Sequence, residues 1–385
     1  MDGALREESA AALRTAQVPI TALNPGRELA DRLGDGPFAL VCLFASPDAD
    51  FADLTREAHI AFRGADVFAC TTAGELGEHG YEEGQIIAVA FPRAYFAVSA
   101  YAIDDLDHMD DQRIIDSVIQ RRMALNRDAP DMPSEFAFLM VDGLSLREEH
   151  LSGVLASGLG PMPLFGGSSG DGTAFRSTWL SHNGTIRQNA ALLALVRSRC
   201  RVKVFSLDNL IPTDTRMVVT RADPEARVVH ELNAETAALE YARLLGKDPN
   251  QLDPFTFAAH PVVLRLGDTH HVRAIQRVSE NGDLVFFSAI NEGMVLSLAD
   301  HEDISAHLEA GLSRLARGVA PDHILGCDCI LRRIEAGQLQ KTREISDILQ
   351  RHRVIGFSTY GEQIGALHVN QTLTGVAIYP PLDGV

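Results

Sequence analysis

Cysteine is scarce in this chain and tryptophan nearly absent. Of 385 residues, five are Cys and one is Trp, and aromatic residues amount to 6%. The cysteines, at Cys42, Cys70, Cys200, Cys327 and Cys329, are too few and odd in number for a disulfide framework. No apolar run approaches the roughly 18 to 20 residues that span a bilayer. The opening Met1-Asp2-Gly3-Ala4-Leu5-Arg6-Glu7-Glu8 lacks the basic-then-apolar pattern of a signal peptide. Together these absences lead us to expect a cytoplasmic location with reduced thiols. Positive charge is also short: 34 Lys and Arg face 52 Asp and Glu, for a net charge of -18. That balance argues against nucleic acid, which is held by cations on phosphate, and against anionic membrane surfaces. Arg332-Arg333 and Arg351-His352-Arg353 are candidate basic patches, and a solvated helix face explains them equally well. P-loop, H-E-x-x-H, EF-hand and complete Rossmann signatures are all missing. With no acid/base constellation in view, the expectation is a protein that is not an enzyme.

What is present is a repeat. A short turn occurs three times, as Ala69-Cys70-Thr71-Thr72-Ala73-Gly74-Glu75, as Gly166-Gly167-Ser168-Ser169-Gly170-Asp171 and as Gly356-Phe357-Ser358-Thr359-Tyr360-Gly361-Glu362. Each follows an apolar run and closes on Gly and an acid. Before each come a strand-like run, a helix-like run and a second strand-like run. The first strand and helix of each are Phe38 to Phe44 and Phe51 to Arg63, Phe136 to Val141 and Ser145 to Ser157, and His323 to Ile330 and Lys341 to Arg351. An apolar strand follows each turn, at Ile86 to Phe91, Ala191 to Val196 and Leu373 to Tyr379. The first and third copies align without gaps at an offset of 287 positions, which carries Thr72 onto Thr359, Gly74 onto Gly361 and Val89 onto Val376. Such a register points to internal duplication.

The predicted class is therefore α/β to α+β. Repeated βαβ–turn–β units form a sheet flanked by helices, with mostly parallel pairing expected from the βαβ runs. Residues 1 to 25 read as a helical extension that is amphipathic up to Gln17. Ser145 with Glu148 forms a capping-box pattern. From about residue 206 to 300 the texture changes to short strands around a helix at Glu235 to Leu245, ended by Gly246. Gly267-Asp268 and Asn281-Gly282 separate strands here, the latter a strong hairpin signal. This stretch predicts an inserted, mainly antiparallel, sensor-like sheet.

Two sets of residues could carry chemistry. The Ser/Thr-rich turns offer backbone N–H groups and hydroxyls for a carboxylate or phosphate, and their acids could hold an amine. That set is Thr72, Glu75, Ser168, Asp171, Thr359 and Glu362. A purely structural role for the turns, with Gly supplying positive φ, is the competing reading. Gly166-Gly167-Ser168-Ser169-Gly170 also fits G-x-S-x-G, but a nucleophile elbow needs a helix after it, and Thr173 to Leu180 reads as a strand. Cys327-Asp328-Cys329 lies in a strand-like run, which makes packing the expected role of both thiols. The second set centres on His260, which follows the aromatic run Phe255-Thr256-Phe257 and precedes Pro261 and an apolar strand. A neutral imidazole in an apolar pocket is what a haem iron takes as axial ligand. His271, in the His270-His271 pair, is the second choice, with Phe255, Phe257, Phe286 and Met294 around the ring. No Cys-x-x-Cys-His exists for covalent attachment, so the haem would be haem b.

The three turns, together with Phe165 and with Asn370-Gln371-Thr372, resemble the FIST family, whose N-terminal and C-terminal domains would cover 26–205 and 206–385. The resemblance implies a bacterial cytoplasmic sensory module that binds a small ligand, amino acids being the class proposed for the family. Within it the chain looks most like the stand-alone NosP members, through His260-Pro261-Val262-Val263-Leu264-Arg265, Val272 to Gln276 and Ile290 to Leu296. That likeness implies haem, sensing of nitric oxide, and regulation of a partner histidine kinase or cyclic-di-GMP enzyme, with a homodimer left open. A FIST module that binds an amino-acid-like metabolite without haem is the alternative.

Overall fold

In a computed structural model of the chain, residues 11–266 and 269–381 are described. The Gly267-Asp268 turn and the first ten residues of the expected N-terminal helix lie outside them. Three six-stranded sheets share one topology, and a fourth, antiparallel sheet is inserted in the chain after Val202–Leu207, the outer strand of the third.

In unit one, Phe38–Ala45 runs parallel to Asp66–Thr71 across the helix Phe51–Ala61. Gln85–Pro92 returns antiparallel beside the first strand, and Arg14–Pro19 closes the outer edge. Unit two repeats this with Ser134–Val141, the helix Glu148–Leu159, Leu164–Ser168, Ala191–Ser198 and the outer strand Phe96–Ile103. Unit three repeats it with His323–Cys329, Val354–Thr359, Leu373–Ile378 and the outer strand Val202–Leu207. Its crossover holds two helices, Ile330–Gln338 and Thr342–Arg351.

Each sheet is completed by a hairpin from another unit. The hairpin after unit one's turn, Glu75–Gly77 and Gly80–Glu82, pairs with Val354–Thr359 of unit three. Unit three's hairpin, Glu362–Ile364 and Leu367–Val369, pairs with Leu164–Ser168 of unit two. Unit two's hairpin, Leu180–His182 and Thr185–Arg187, pairs with Asp66–Thr71 of unit one. The exchange is cyclic. Each hairpin satisfies backbone groups that would otherwise form an open sheet edge.

The strands next to the crossovers are apolar along their whole length because both faces are covered. All eight residues of Phe38–Ala45 are buried. Leu40, Cys42 and Phe44 turn inward and join Phe138, Phe165, Leu325 and Phe357 in one central core shared by the three units. Val41, Leu43 and Ala45 turn outward under the helices Pro25–Leu33 and Phe51–Ala61. Phe44 of unit one stacks on Phe357 of unit three at 4.6 Å. Cys327 and Cys329 are buried packing residues, as the strand pattern predicts.

Several expectations are corrected. Within each unit only one strand pair is parallel, because the chain comes back through a hairpin rather than a second crossover helix. Residues 14–19 form a strand instead of the end of a helix, since their alternate side chains bury against Gln85–Pro92. The capping box does not form: the helix begins at Glu148 behind Arg147, and the Glu148 carboxylate is drawn to Arg227. Residues 173–179 are loop, the strand beginning only at Leu180. The division expected at 205/206 falls inside Val202–Leu207, which belongs to unit three's sheet, so the inserted sheet runs from Leu210 to His301. There the Gly246 cap adopts φ 66, and Asn281-Gly282 joins Ile275–Val278 to Leu284–Phe286 as expected. No helix among the described residues is long and apolar enough to cross a membrane.

Since Phe357 touches two units within one core, Phe357→Ala is expected to cost roughly 3–5 kcal/mol. Urea unfolding followed by circular dichroism is expected to show a single transition that shifts as a whole. A first transition confined to unit three would contradict the shared core.

Candidate functional site

The three turns meet and bond to one another. Ala73 N–H donates to the Ser358 carbonyl at 2.9 Å, and Ser358 N–H donates back to Gly74 at 2.7 Å. Ser168 N–H donates to Gly361 at 2.8 Å, and Gly170 N–H to Thr71 at 3.0 Å. Thr72, Glu75, Ser168, Thr359 and Glu362 are all buried. The backbone of the turns thus joins the units.

The acids of the first and third turns bond within their own unit. Glu75 accepts the Thr72 hydroxyl at 2.6 Å and the Gln85 N–H at 3.2 Å. Glu362 accepts the Thr359 hydroxyl, and the hydroxyl and N–H of Thr372 at 2.7 and 3.3 Å. In both, one carboxylate ties the turn to the start of the closing strand. In unit two Asp142 does this work, taking the Thr178 hydroxyl and the Asn189 N–H at 2.5 Å. Asp171, the acid that ends the second motif, is therefore not the counterpart of Glu75. It accepts N–H groups of Phe175, Arg176 and Ser177 at 2.7 to 2.9 Å and the Tyr360 hydroxyl. Burial pushes its carboxyl up, but these donors outweigh burial and leave it below its ordinary value. Ser168 Oγ accepts from Gln363 Nε2 at 3.1 Å, and the same nitrogen lies 3.2 Å from His368 Nδ1.

Of these six residues only Glu75 lines a described cavity. That cavity, about 510 Å³, opens where the three units meet. Unit one contributes Ser46, Asp48 and Gly74, unit two Gly172 and Thr173, and unit three Arg333 and Thr342. Arg333 is the feature that sequence reading missed. Its guanidinium is 13% exposed, lies 5.1 Å over the Tyr81 ring, and donates through Nη2 to Glu82 O at 2.9 Å and Glu83 Oε1 at 3.2 Å. Nη1 is buried without a partner. It fits only because residue 74 is glycine: a Cβ there would stand 2.2 Å from Nη1, and the backbone adopts φ 128. The Arg332-Arg333 pair was visible in sequence, but not that helix Ile330–Gln338 sends Arg332 into the core, 1% exposed on Asp328 at 2.8 Å, and Arg333 to the cavity.

Burial pushes the Glu75 carboxyl up to about 7 against the Thr72 and Gln85 bonds, and Glu362 to about 8 against Thr359 and Thr372.

The second residue set is not assembled around a cavity. His260 follows the helix Pro254–Ala259 and is half-buried, its carbonyl accepting the Tyr241 hydroxyl at 2.5 Å. Its imidazole is held toward the neutral form by burial, then by Lys247 and His301. His271 is on the strand Thr269–Arg273, opposite Leu264, and is likewise held toward the neutral form by burial and Arg273. Phe257 and Phe286 are packed in the inserted sheet's core with Tyr241 and Val262, and Met294 leans on that core. Phe255 points outward, 60% exposed. His260, His271, Phe257 and Met294 line none of the described cavities, and Phe286 borders one of about 220 Å³. That is below the roughly 300–1,000 Å³ of pockets for drug-sized ligands. A haem does not fit the shell expected for it. Among the described residues no group of three or more His, Cys, Asp or Glu could hold a metal ion.

The raised Glu362 carboxyl gives a pH prediction. Its folded value lies above the unfolded 4.5, so the fold favours the protonated form. That stabilisation is complete below about pH 4.5 and lost as pH rises through about 8. Glu362→Gln is expected to melt close to the parent protein at about pH 5 and above it at about pH 9, by differential scanning calorimetry. A parent advantage that grows with pH would refute the assignment.

No curated protein matches the sequence significantly. Residues 39–235 match the FIST N domain and residues 237–365 the FIST C domain. The chain therefore belongs to the FIST family, whose domains are sensory signal-transduction modules that bind small ligands.

Proposed function

We propose that the chain senses an amino-acid-like zwitterion bound in the cavity among the three units. The observation that carries this reading is Arg333, whose side chain lines a cavity of about 510 Å³ and whose Nη1 is buried beside Gly74 without a partner. A buried charged donor left unpaired is costly, and a ligand carboxylate would satisfy it with a charge-assisted bond. Acids surround the opening: Asp48 and Glu83 are exposed at its rim and Glu75 lies behind Gly74. They favour a cationic amine on the same ligand. Because the lining comes from all three units, occupancy changes what each unit contacts, and a ligand with different affinity for two arrangements shifts their balance. The state would be read in the cytoplasm by a separate signalling protein, a histidine kinase or a cyclic-di-GMP enzyme. The buried, bonded Ser168 hydroxyl supports a binding role over a catalytic one.

Calorimetric titration with the common amino acids is expected to find at least one saturable ligand. Arg333→Met should weaken it by tenfold or more, since a charged hydrogen bond is worth about 1.5–3 kcal/mol. Gly74→Ala should weaken it too, by displacing the guanidinium. Unchanged affinity in Arg333→Met would sink this site.

One observation favours haem as a second reading: His260 by itself offers a half-buried, neutral imidazole. Phe257 and Phe286 would have to leave the core to meet a ring there. Addition of haemin is expected to give no sharp Soret band. A stoichiometric band that moves with nitric oxide and disappears in His260→Ala would replace the amino-acid reading with the haem one.

A further inference from the structure

A second cavity lies where unit two, the turn of unit three and the inserted sheet converge. It encloses about 220 Å³, with Phe175, Phe286, Phe287 and Tyr360 among its walls and Arg227 and Glu148 beside them. The Phe175 ring stacks on Tyr360 at 4.3 Å and lies 5.9 Å from Phe287. Arg227 donates to Glu148 and to the Phe287 carbonyl, and the two charged side chains are 4% and 2% exposed. A buried ion pair is a weak source of stability compared with an apolar filling of the same space. Its place at a cavity wall needs another reason.

The backbone supplies an independent observation. Leu146, Phe175 and Arg227 adopt φ 59, 52 and 57, left-handed values that large side chains avoid, and all three line this cavity. Strain of this kind collects where geometry serves a ligand. Phe175 is carried on the loop from Asp171 to Trp179, which has no counterpart in units one and three. There the turn passes straight into its hairpin. Asp171 and the Tyr360 hydroxyl hold the Phe175 N–H at 2.7 and 3.3 Å, fixing the ring against Tyr360.

We propose that this cavity is a second ligand site, for one small planar heteroaromatic ring of nucleobase type, stacked on the aromatic walls and read along its edge by the Arg227–Glu148 pair. The guanidinium offers donors and the carboxylate an acceptor side by side. The amide-like edge of such a base presents an acceptor beside a donor, the complementary order. Aromatic walls bind any base through its faces. The volume admits a base without its sugar and phosphate. The site joins unit two to the inserted sheet and to Tyr360 of unit three, so its ligand bridges three parts of the chain. It is separate from the Arg333 cavity and does not rest on it.

The test is titration of the full-length protein with uracil, cytosine and adenine, read by calorimetry and by the fluorescence of Trp179. Trp179 is the one tryptophan in the chain and stands at the end of the Phe175 loop. At least one base is expected to bind at one equivalent, and Phe175→Ala to weaken it by about tenfold or more. Ala226→Trp, at an exposed position on the rim, is expected to abolish binding without moving the melting temperature. This variant decides the matter if Phe175→Ala does not fold. Arg333→Met is expected to leave base binding unchanged. Absence of saturable binding by all three bases, or binding that survives Ala226→Trp, would overturn the proposal.

Discussion

The structure depends on the closure of open sheet edges. Each unit builds a parallel strand pair whose second strand has one side unpaired, and each closes that side with the next hairpin of another unit. Because the exchange is cyclic, no unit has a complete sheet without the others. The turns that launch the hairpins must lie together, and they bond across the unit boundaries through their own backbone. The central core follows from the same geometry: three sheets held edge to edge turn one apolar face each toward a common interior.

This constraint explains why the most conspicuous motif is not the site. The acids of the turns and the Thr72, Ser168 and Thr359 hydroxyls are taken up by hydrogen bonds within and between the turns. What remains free lies beside the turns. Gly74 leaves space that Arg333 fills, and the longer second turn sends Phe175 to a different wall. The two cavities thus come from departures from the repeat: an added helix in the crossover of unit three and an added loop in unit two. Small-ligand sensing fits this design, since a ligand at such a junction touches several units at once.

Much of the frame was legible from the chain. The ungapped offset between first and third copies held through turn and closing strand, because both copies pair their strands in the same register. The hairpin at Asn281-Gly282 and the Gly246 cap were readable because they rest on local backbone preference. The equivalence of Asp171 with Glu75 was not, because which carboxylate reaches the closing strand depends on Asp142, far away in sequence. The cluster expected around His260 failed for a related reason. Phe257 and Phe286 are apolar in sequence whether they face a ring or each other, and packing alone chose the core.

The sequence by itself determined the repeating unit, the presence of an inserted antiparallel sheet and the family. These follow from periodicity, turn chemistry and motif, all of which are properties of neighbouring residues. Only the tertiary structure decided which unit each hairpin completes, which acid serves each turn, and that Arg332 is core while Arg333 faces a cavity. The hairpin pairings and the contacts of Arg332 with Asn209 and of Arg333 with Glu82 join residues more than a hundred positions apart, and Asp142 lies 36 and 47 positions from the partners it takes, so burial and edge closure, rather than local preference, select the partner.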